Sequence, residues 1–297
     1  MAALQILAIT QAIAAVCALP CARIHRFHAM QLFAGQHTSD RAPMTTPQVY
    51  QQHRFVRIDQ LRAVAMLWMT VFHFCFDLNH LGLIQENFYR DPFWTWQRTA
   101  IVSLFLFTAG LSQAVASAQG QGWPRFWRRW AQVAGAALLV TAGSLLMFPK
   151  SFIYFGVLHG IAVMLVVARF TTGWGRWLWP LGALAMAAPW VASSLISQFP
   201  ALEVLNARGL NWLGLISRKP ITEDYVPLLP WLGVLWWGMA AGQWVLRNRP
   251  GWAGSGATPE GKVARGLAIL GRWSLSYYLV HQPVMIGLIG LALYLQR

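Results

Sequence analysis

What most constrains this chain is a series of seven apolar runs. Each is close to the roughly 20 residues a helix needs to cross a bilayer core. They cover about 60–81, 98–118, 131–149, 152–169, 177–197, 228–246 and 273–295. Hydrocarbon offers no partner to a backbone polar group, so such runs fold as helices that satisfy themselves. Composition excludes a water-soluble domain independently. Of 297 residues 57% are hydrophobic and only 11% charged, against roughly 25% charged in soluble domains. The expected fold is all-α: a polytopic transmembrane helix bundle with seven core spans and an eighth left open at the amino terminus. Pro180 and Pro189 predict a kink in the fifth run. No repeat of 20–50 residues stands out.

The net charge of +14 first suggests nucleic acid. The arginines, however, lie between apolar runs rather than in a patch or motif, and they read better as topology. With the segment before residue 60 placed inside, thirteen Lys and Arg fall in inner loops and seven in outer ones. Five acidic residues (Glu86, Asp91, Glu203, Glu223 and Asp224) offset the outer seven. This alternation orients the bundle and puts the carboxyl terminus outside. Cys17, Cys21 and Cys75 sit in apolar runs without metal spacing. They read as small buried hydrophobes.

Residues 1–53 form a separate amino-terminal segment and linker, ahead of a core domain at 54–297. The stretch "MAALQILAITQAIAAVCALPCA" is long enough to span. Its basic residues, Arg23 and Arg26, follow it rather than precede it. An eighth span, translation starting at Met44, and a cleaved signal are the three readings. The first 43 residues are expected to be dispensable, because every polar feature below lies after Arg54. The Gly- and Pro-rich connection "RNRPGWAGSGATPEGKVARG" is expected to be mobile.

Within the first run, "MTVFHFCFDL" places His73 and Asp77 in sequence otherwise fit for lipid. Asp59, Arg62, Met66, Met69, His73 and Asp77 recur every three or four residues and share one helix face. An Asp at the bilayer centre costs roughly 2.5–3.5 kcal/mol, so this face must meet protein or water. His73 lies about 17 Å beyond Leu61 at 1.5 Å per residue, in the outer half of the bilayer. A carboxylate beside an imidazole fixes its tautomer and raises its basicity, as a general base requires. The bland alternative is an interhelical hydrogen bond that only holds the bundle.

Two more intramembrane histidines follow, His159 in "FIYFGVLHGIAV" and His281 in "SLSYYLVHQPVM". Either alone reads as a satisfied core histidine. Three histidines in separate spans, with Asp77, make a shared polar centre the better reading. In "TEDYVPLLPW", Thr222 or Asp224 is expected to cap the helix that begins near Pro227. In "WPRFWRRW", Arg125, Arg128 and Arg129 form either a positive-inside aromatic belt or a site for a phosphorylated cytosolic donor. Arg57 and Arg62, at the inner end of the first run, are candidates for the same role.

The motifs "RIDQLRAVAMLWMTVFHFCFDLNHLG", "SLFLFTAGLS", "FIYFGVLHGIAV", "DYVPLLPWLG" and "GRWSLSYYLVHQPV" occur in the order and spacing of a bacterial membrane family. That family is similar to the catalytic domain of heparan-alpha-glucosaminide N-acetyltransferase, among the transmembrane acyltransferases that modify sugars. The resemblance covers about residues 54–295. Ala63 stands where the family pattern has Gly. His80 is the nearest counterpart of the histidine the family places after its first conserved span, without the local motif around it. The resemblance implies a multi-pass protein of the bacterial inner membrane, surrounded by lipid. It further implies a cytosolic acetyl-CoA or other acyl-CoA donor and a glycan or small-molecule acceptor on the outer side. No metal and no nucleic acid are expected. The rival readings are a transporter or channel with a buried His/Asp centre, and a bis-histidine haem protein.

Overall fold

The structure, a computed structural model, describes residues 55–249 and 261–296. The amino-terminal segment with its open eighth span, Cys17 and Cys21 lies outside the described residues, as does the Gly- and Pro-rich stretch at 250–260. Eight α-helices make up the described chain. They are α1 (Val56–His80), α2 (Pro92–Ala118), α3 (Trp123–Met147), α4 (Val157–Thr171), α5 (Leu178–Gln198), α6 (Leu228–Asn248), α7 (Lys262–Arg272) and α8 (Ser274–Leu295). Among the described residues there is no strand, only one isolated parallel bridge between Phe155 and Tyr225.

Five helical segments are long and apolar enough to cross a membrane: Val56–His80, Pro92–Ala118, Trp123–Met147, Val157–Gln198 and Ser274–Leu295. The fourth holds 42 residues, about twice a bilayer's need. A 3₁₀ turn at Thr172–Trp177 divides it into α4 and α5, with Gly175 in a positive-φ conformation. The expected runs at 152–169 and 177–197 thus lie on α4 and α5, separated by that turn. The run at 228–246 forms α6, which is not among the five. α5 continues through Pro189 as one helix.

The helix starts follow from local chemistry. Asp91 caps α2, its carboxylate accepting from the Phe93 N–H at 2.7 Å, with Pro92 in the first turn where no N–H is needed. α3 starts after Gly122 without a side-chain cap, with Pro124 in its first turn.

By contacts, residues 54–278 form one unit, and the described part of the other is 279–296, the remainder of α8. Within the first unit α6 is the centrepiece. Its contact with α2 is the most extensive in the molecule and that with α5 the next. Small residues make these approaches possible. A methyl group on Gly110 would strike the Leu235 carbonyl, one on Gly238 the Phe107 carbonyl, and one on Gly233 the Gly182 carbonyl. This is how helices associate in lipid, where dispersion at close range replaces the hydrophobic drive. Leu106, Met164, Leu178, Leu235 and Met239 fill the interior between them, fully buried.

Gly238→Val should destabilise the protein by about 1–3 kcal/mol through overpacking. Gly135→Ala, where an added methyl meets nothing within 4 Å, should be neutral or mildly stabilising. Thermal unfolding of the purified protein distinguishes the two.

Candidate functional site

The polar face of α1 is built as its spacing predicts, and protein encloses it. Met66, Met69 and Asp77 are buried, while His73 is half-buried. At the inner end Arg62 donates to Asp59 Oδ1 at 2.9 Å and, with its other terminal nitrogen, to Ser112 Oγ on α2. Arg62 is thereby committed to tying α1 to α2. Thr70, on the same face as His73 and Asp77, donates to the Met66 carbonyl at 2.9 Å. Its Oγ1 also lies 2.7 Å from the Tyr277 hydroxyl of α8. The first turn of α8 thus meets α1 at that level.

The adjacent face of α1 is aromatic. Phe72 and Phe76 both pack edge-to-face on Phe88, with centroids 5.6 and 5.3 Å apart. Phe88 in turn stacks on Trp94 of α2 at 4.1 Å. This cluster pins the connection 81–91 against the carboxyl-terminal half of α1. His80, the last residue of α1, is exposed and stands edge-on to Phe148. Cys75 is a half-buried free thiol.

His159 is the third residue of α4. Its Nδ1 accepts from the Gly156 N–H at 3.3 Å, and its Nε2 lies 3.0 Å from Thr141 Oγ1 on α3. The Thr141 hydroxyl donates its one proton to the Ile153 carbonyl at 2.8 Å. Nε2 must therefore carry the hydrogen and donate to Thr141, so the ring is neutral with both nitrogens engaged. The arrangement joins α3, the 151–157 connection and the start of α4.

The outer loop is clasped to that same connection. Glu223 N–H donates to the Ser151 carbonyl at 2.9 Å, Val226 N–H to the Phe155 carbonyl at 3.1 Å, and the Thr222 hydroxyl to the Phe152 carbonyl at 2.9 Å. Asp224 Oδ2 accepts from the Val157 N–H at 2.7 Å. Gly156 is required beside it, because a side chain there would strike that carboxylate. The expected cap is thus present but on a different helix. Asp224 caps α4, while α6 begins after Pro227 with no side-chain cap. An approaching acidic side chain can serve any exposed helix start, and spacing along the chain does not say which.

Around this clasp lies a charged cluster that sequence reasoning scattered over separate loops. Burial and then the neighbouring Glu223 raise the Tyr89 pKa, and Tyr89 donates a hydrogen bond to that carboxylate. Burial, followed by the positive charge of Arg98, depresses Lys219. Lys219 Nζ sits 5.4 Å from the Tyr89 ring centre. Burial raises Asp224, partly offset by the Val157 N–H and by Arg98 and Lys219. Burial likewise raises Tyr225, which keeps it a neutral donor to the Asn211 carbonyl at 2.5 Å.

The inner rim differs from that outer cluster. Arg125, Arg128 and Arg129 are exposed on the first turns of α3, where Trp127 packs between Trp123 and Trp130. Arg57 is exposed at the start of α1. Arg169 is the basic residue these aromatics hold. It lies 5.0 Å over Trp123 and 5.8 Å over Phe126, and donates to the Gln121 carbonyl at 2.5 Å. His281, in 279–296, is buried on α8.

Asp224→Ala should cost about 0.5–2 kcal/mol, the usual loss of a cap, and Asp224→Asn less, since an amide oxygen still accepts. The raised pKa fixes a sign. Above the ordinary carboxylate value of 3.8 the folded protein retains a proton that the unfolded chain has lost. The Asp224 contribution therefore falls as pH rises through the folded pKa. Unfolding followed against pH should lose that component in Asp224→Asn.

Compared with known families, the chain matches "Heparan-alpha-glucosaminide N-acetyltransferase, catalytic" over residues 54–283. No curated protein and no solved structure matches it.

Proposed function

Since the chain belongs to the heparan-alpha-glucosaminide N-acetyltransferase catalytic family, a membrane acetyltransferase-like family, we propose that it transfers an acyl group, most simply acetyl, from cytosolic acyl-CoA to a glycan or small-molecule acceptor on the outer side. The observation that carries this reading is the extent of the match, which takes in His73, Asp77, His159 and His281 together. Support also comes from the two ends of the bundle, one a rim of arginines and the other a mixed charged cluster around Asp224. The accompanying topology is seven spans in a bacterial inner membrane, with the carboxyl terminus outside.

The chemistry needs a base. An acceptor amine or hydroxyl attacks the thioester carbonyl carbon, a C–N or C–O bond forms, and the C–S bond breaks. The acceptor's proton must leave and the departing thiolate must gain one. We assign this transfer to His73, whose imidazole titrates nearest neutral pH, with Asp77 orienting it one turn away. In the two-step variant, His73 itself takes the acyl group and passes it on. Thr70 and Tyr277 hold the neighbouring positions on this polar face. His159, with both nitrogens engaged in local structure, serves to position the outer connection. His281 supplies a further buried imidazole. Among the arginines, Arg62 is occupied by Asp59 and Ser112. We assign Arg57, Arg125, Arg128 and Arg129 to the phosphates of the donor, which guanidinium forks fit.

His73→Ala should reduce acyl transfer by about 10²–10⁴, the usual worth of a general base, with the protein still folded. Asp77→Asn should be milder, and activity should rise with pH through the histidine titration. Transfer to candidate acceptors by reconstituted protein, normalised to folded protein, is the measurement. Wild-type rates in a folded His73→Ala protein would sink the assignment. The reading of the inner rim is checked separately. Replacing Arg125, Arg128 and Arg129 with Gln should weaken acyl-CoA binding in a salt-dependent manner, and unchanged affinity would reduce that stretch to a topological anchor.

A further inference from the structure

The short helix α7 has a construction that neither the family match nor the proposed reaction uses. Its 11 residues make it about 16 Å long at 1.5 Å per residue, too short to cross a bilayer. Successive residues advance about 100° around its axis, which sorts the side chains into three arcs. Ala264, Ala268 and Gly271 fall within about 60° of one another and form the seam against α1. Gln60 donates to the Ala264 carbonyl at 3.1 Å across this seam, and a side chain on Gly271 would strike the Asp59 backbone. Val263, Leu267 and Leu270 occupy a second arc of about 60°, and Val263 there is 78% exposed. Lys262, Arg265 and Arg272 occupy a third arc of about 80°, all exposed, and none forms an ion pair among the described residues. The centres of the apolar and basic arcs lie about 150° apart. Ile269 and Trp273, each about half exposed, lie among the basic residues.

We infer that α7 is a membrane-surface helix that binds a leaflet of anionic phospholipid. Its apolar arc dips below the headgroups, and Lys262, Arg265 and Arg272 engage their phosphates. An apolar arc with Val263 exposed and Leu267 and Leu270 half-buried, set away from an unpaired basic one, fits the water–lipid boundary and no single bulk medium. Trp273, at the junction of α7 and α8, is the residue type that anchors at headgroup depth. Three uncompensated cations within 11 residues select negative headgroups over zwitterionic ones, at about 1 kcal/mol per basic residue near a charged leaflet. The seam carries the consequence inward. α7 rests on Asp59, Asp59 accepts from Arg62, and Arg62 donates to Ser112 of α2, so lipid occupancy bears on how α1 is held against its neighbour. This inference does not depend on the acyltransferase reading.

The test uses the full-length protein in nanodiscs of phosphatidylcholine, with and without phosphatidylglycerol. In a background with Cys17, Cys21 and Cys75 replaced by Ala, a fluorophore is placed at Val263→Cys or at Arg265→Cys. Brominated acyl chains should quench the label at 263 and spare that at 265, more sharply when phosphatidylglycerol is present. Equal quenching at both positions, or stronger quenching at 265, overturns the proposed orientation. The second measurement needs no cysteine changes. Phosphatidylglycerol should raise the wild-type unfolding temperature, and about 1 M salt, where the Debye length is about 3 Å, should erase the gain. The Lys262→Gln, Arg265→Gln, Arg272→Gln variant should lose most of it. A gain that survives undiminished in that variant overturns the headgroup contact. A comparable gain from soluble glycerol phosphate added to phosphatidylcholine discs would mean a free phosphate site instead of a lipid surface.

Discussion

A polar group inside hydrocarbon has to find its partner in protein, and the described structure follows from how that requirement is met. The start of α4 is the clearest case. The first N–H groups of a helix have no intrahelical acceptor, and those of α4 emerge from an apolar run. Asp224, far along the sequence, supplies a carboxylate to Val157, and His159 turns its Nδ1 back to Gly156. Both solutions need a bare backbone at Gly156. The carboxylate is accommodated in turn because Arg98 and Lys219 face it. One unsatisfied helix end therefore organises α3, α4, the outer loop and the charged cluster together.

Close helix contacts obey a second requirement of the same kind. Since lipid tails are as apolar as leucine, α2, α5 and α6 gain by approaching more closely than lipid would, and glycine at 110, 182, 233 and 238 permits it. Arg62 shows the polar form of the same economy. Its guanidinium has several donors and no acceptor, and it bridges an acid on its own helix to a hydroxyl on the next. Where side chains of α3 and α5 face outward, they are large and apolar, such as Leu138, Leu184 and Trp190.

These requirements also decide what the sequence could reveal. The helices were legible because their length and apolarity are one-dimensional properties. The α1 face was legible because 62, 66, 69, 73 and 77 recur at helical spacing. Thr70 shares that face and was readable on the same grounds. Tyr277 stands four residues before His281 and announced nothing about its contact with Thr70. The junction between the runs at 152–169 and 177–197 is six residues of 3₁₀ turn, below the resolution of a hydropathy pattern. The destination of the Asp224 cap, the pairing of Thr141 with His159 and the gathering of Tyr89, Lys219 and Glu223 all depend on contacts between distant segments. No local pattern encodes those.

The two ends of α1 bear on how a transfer across this bundle would proceed. His73 is about 26 Å along α1 from Val56 at 1.5 Å per residue, so a donor held by phosphates at the inner rim must extend most of a bilayer's depth to reach it. Among the described residues Asp59 with Arg62 lies toward one end and Asp224 with Arg98 and Lys219 toward the other. The level between carries hydroxyls, imidazole and the carboxylate of Asp77. Such a level suits a reaction that displaces a thiolate. A low-dielectric interior strengthens each fixed dipole aimed at the developing charge, and a mobile cation there would be costly to hold. The partial burial of His73 and the full burial of Asp77, on a face they share with the buried Met66 and Met69, suit the chemistry proposed.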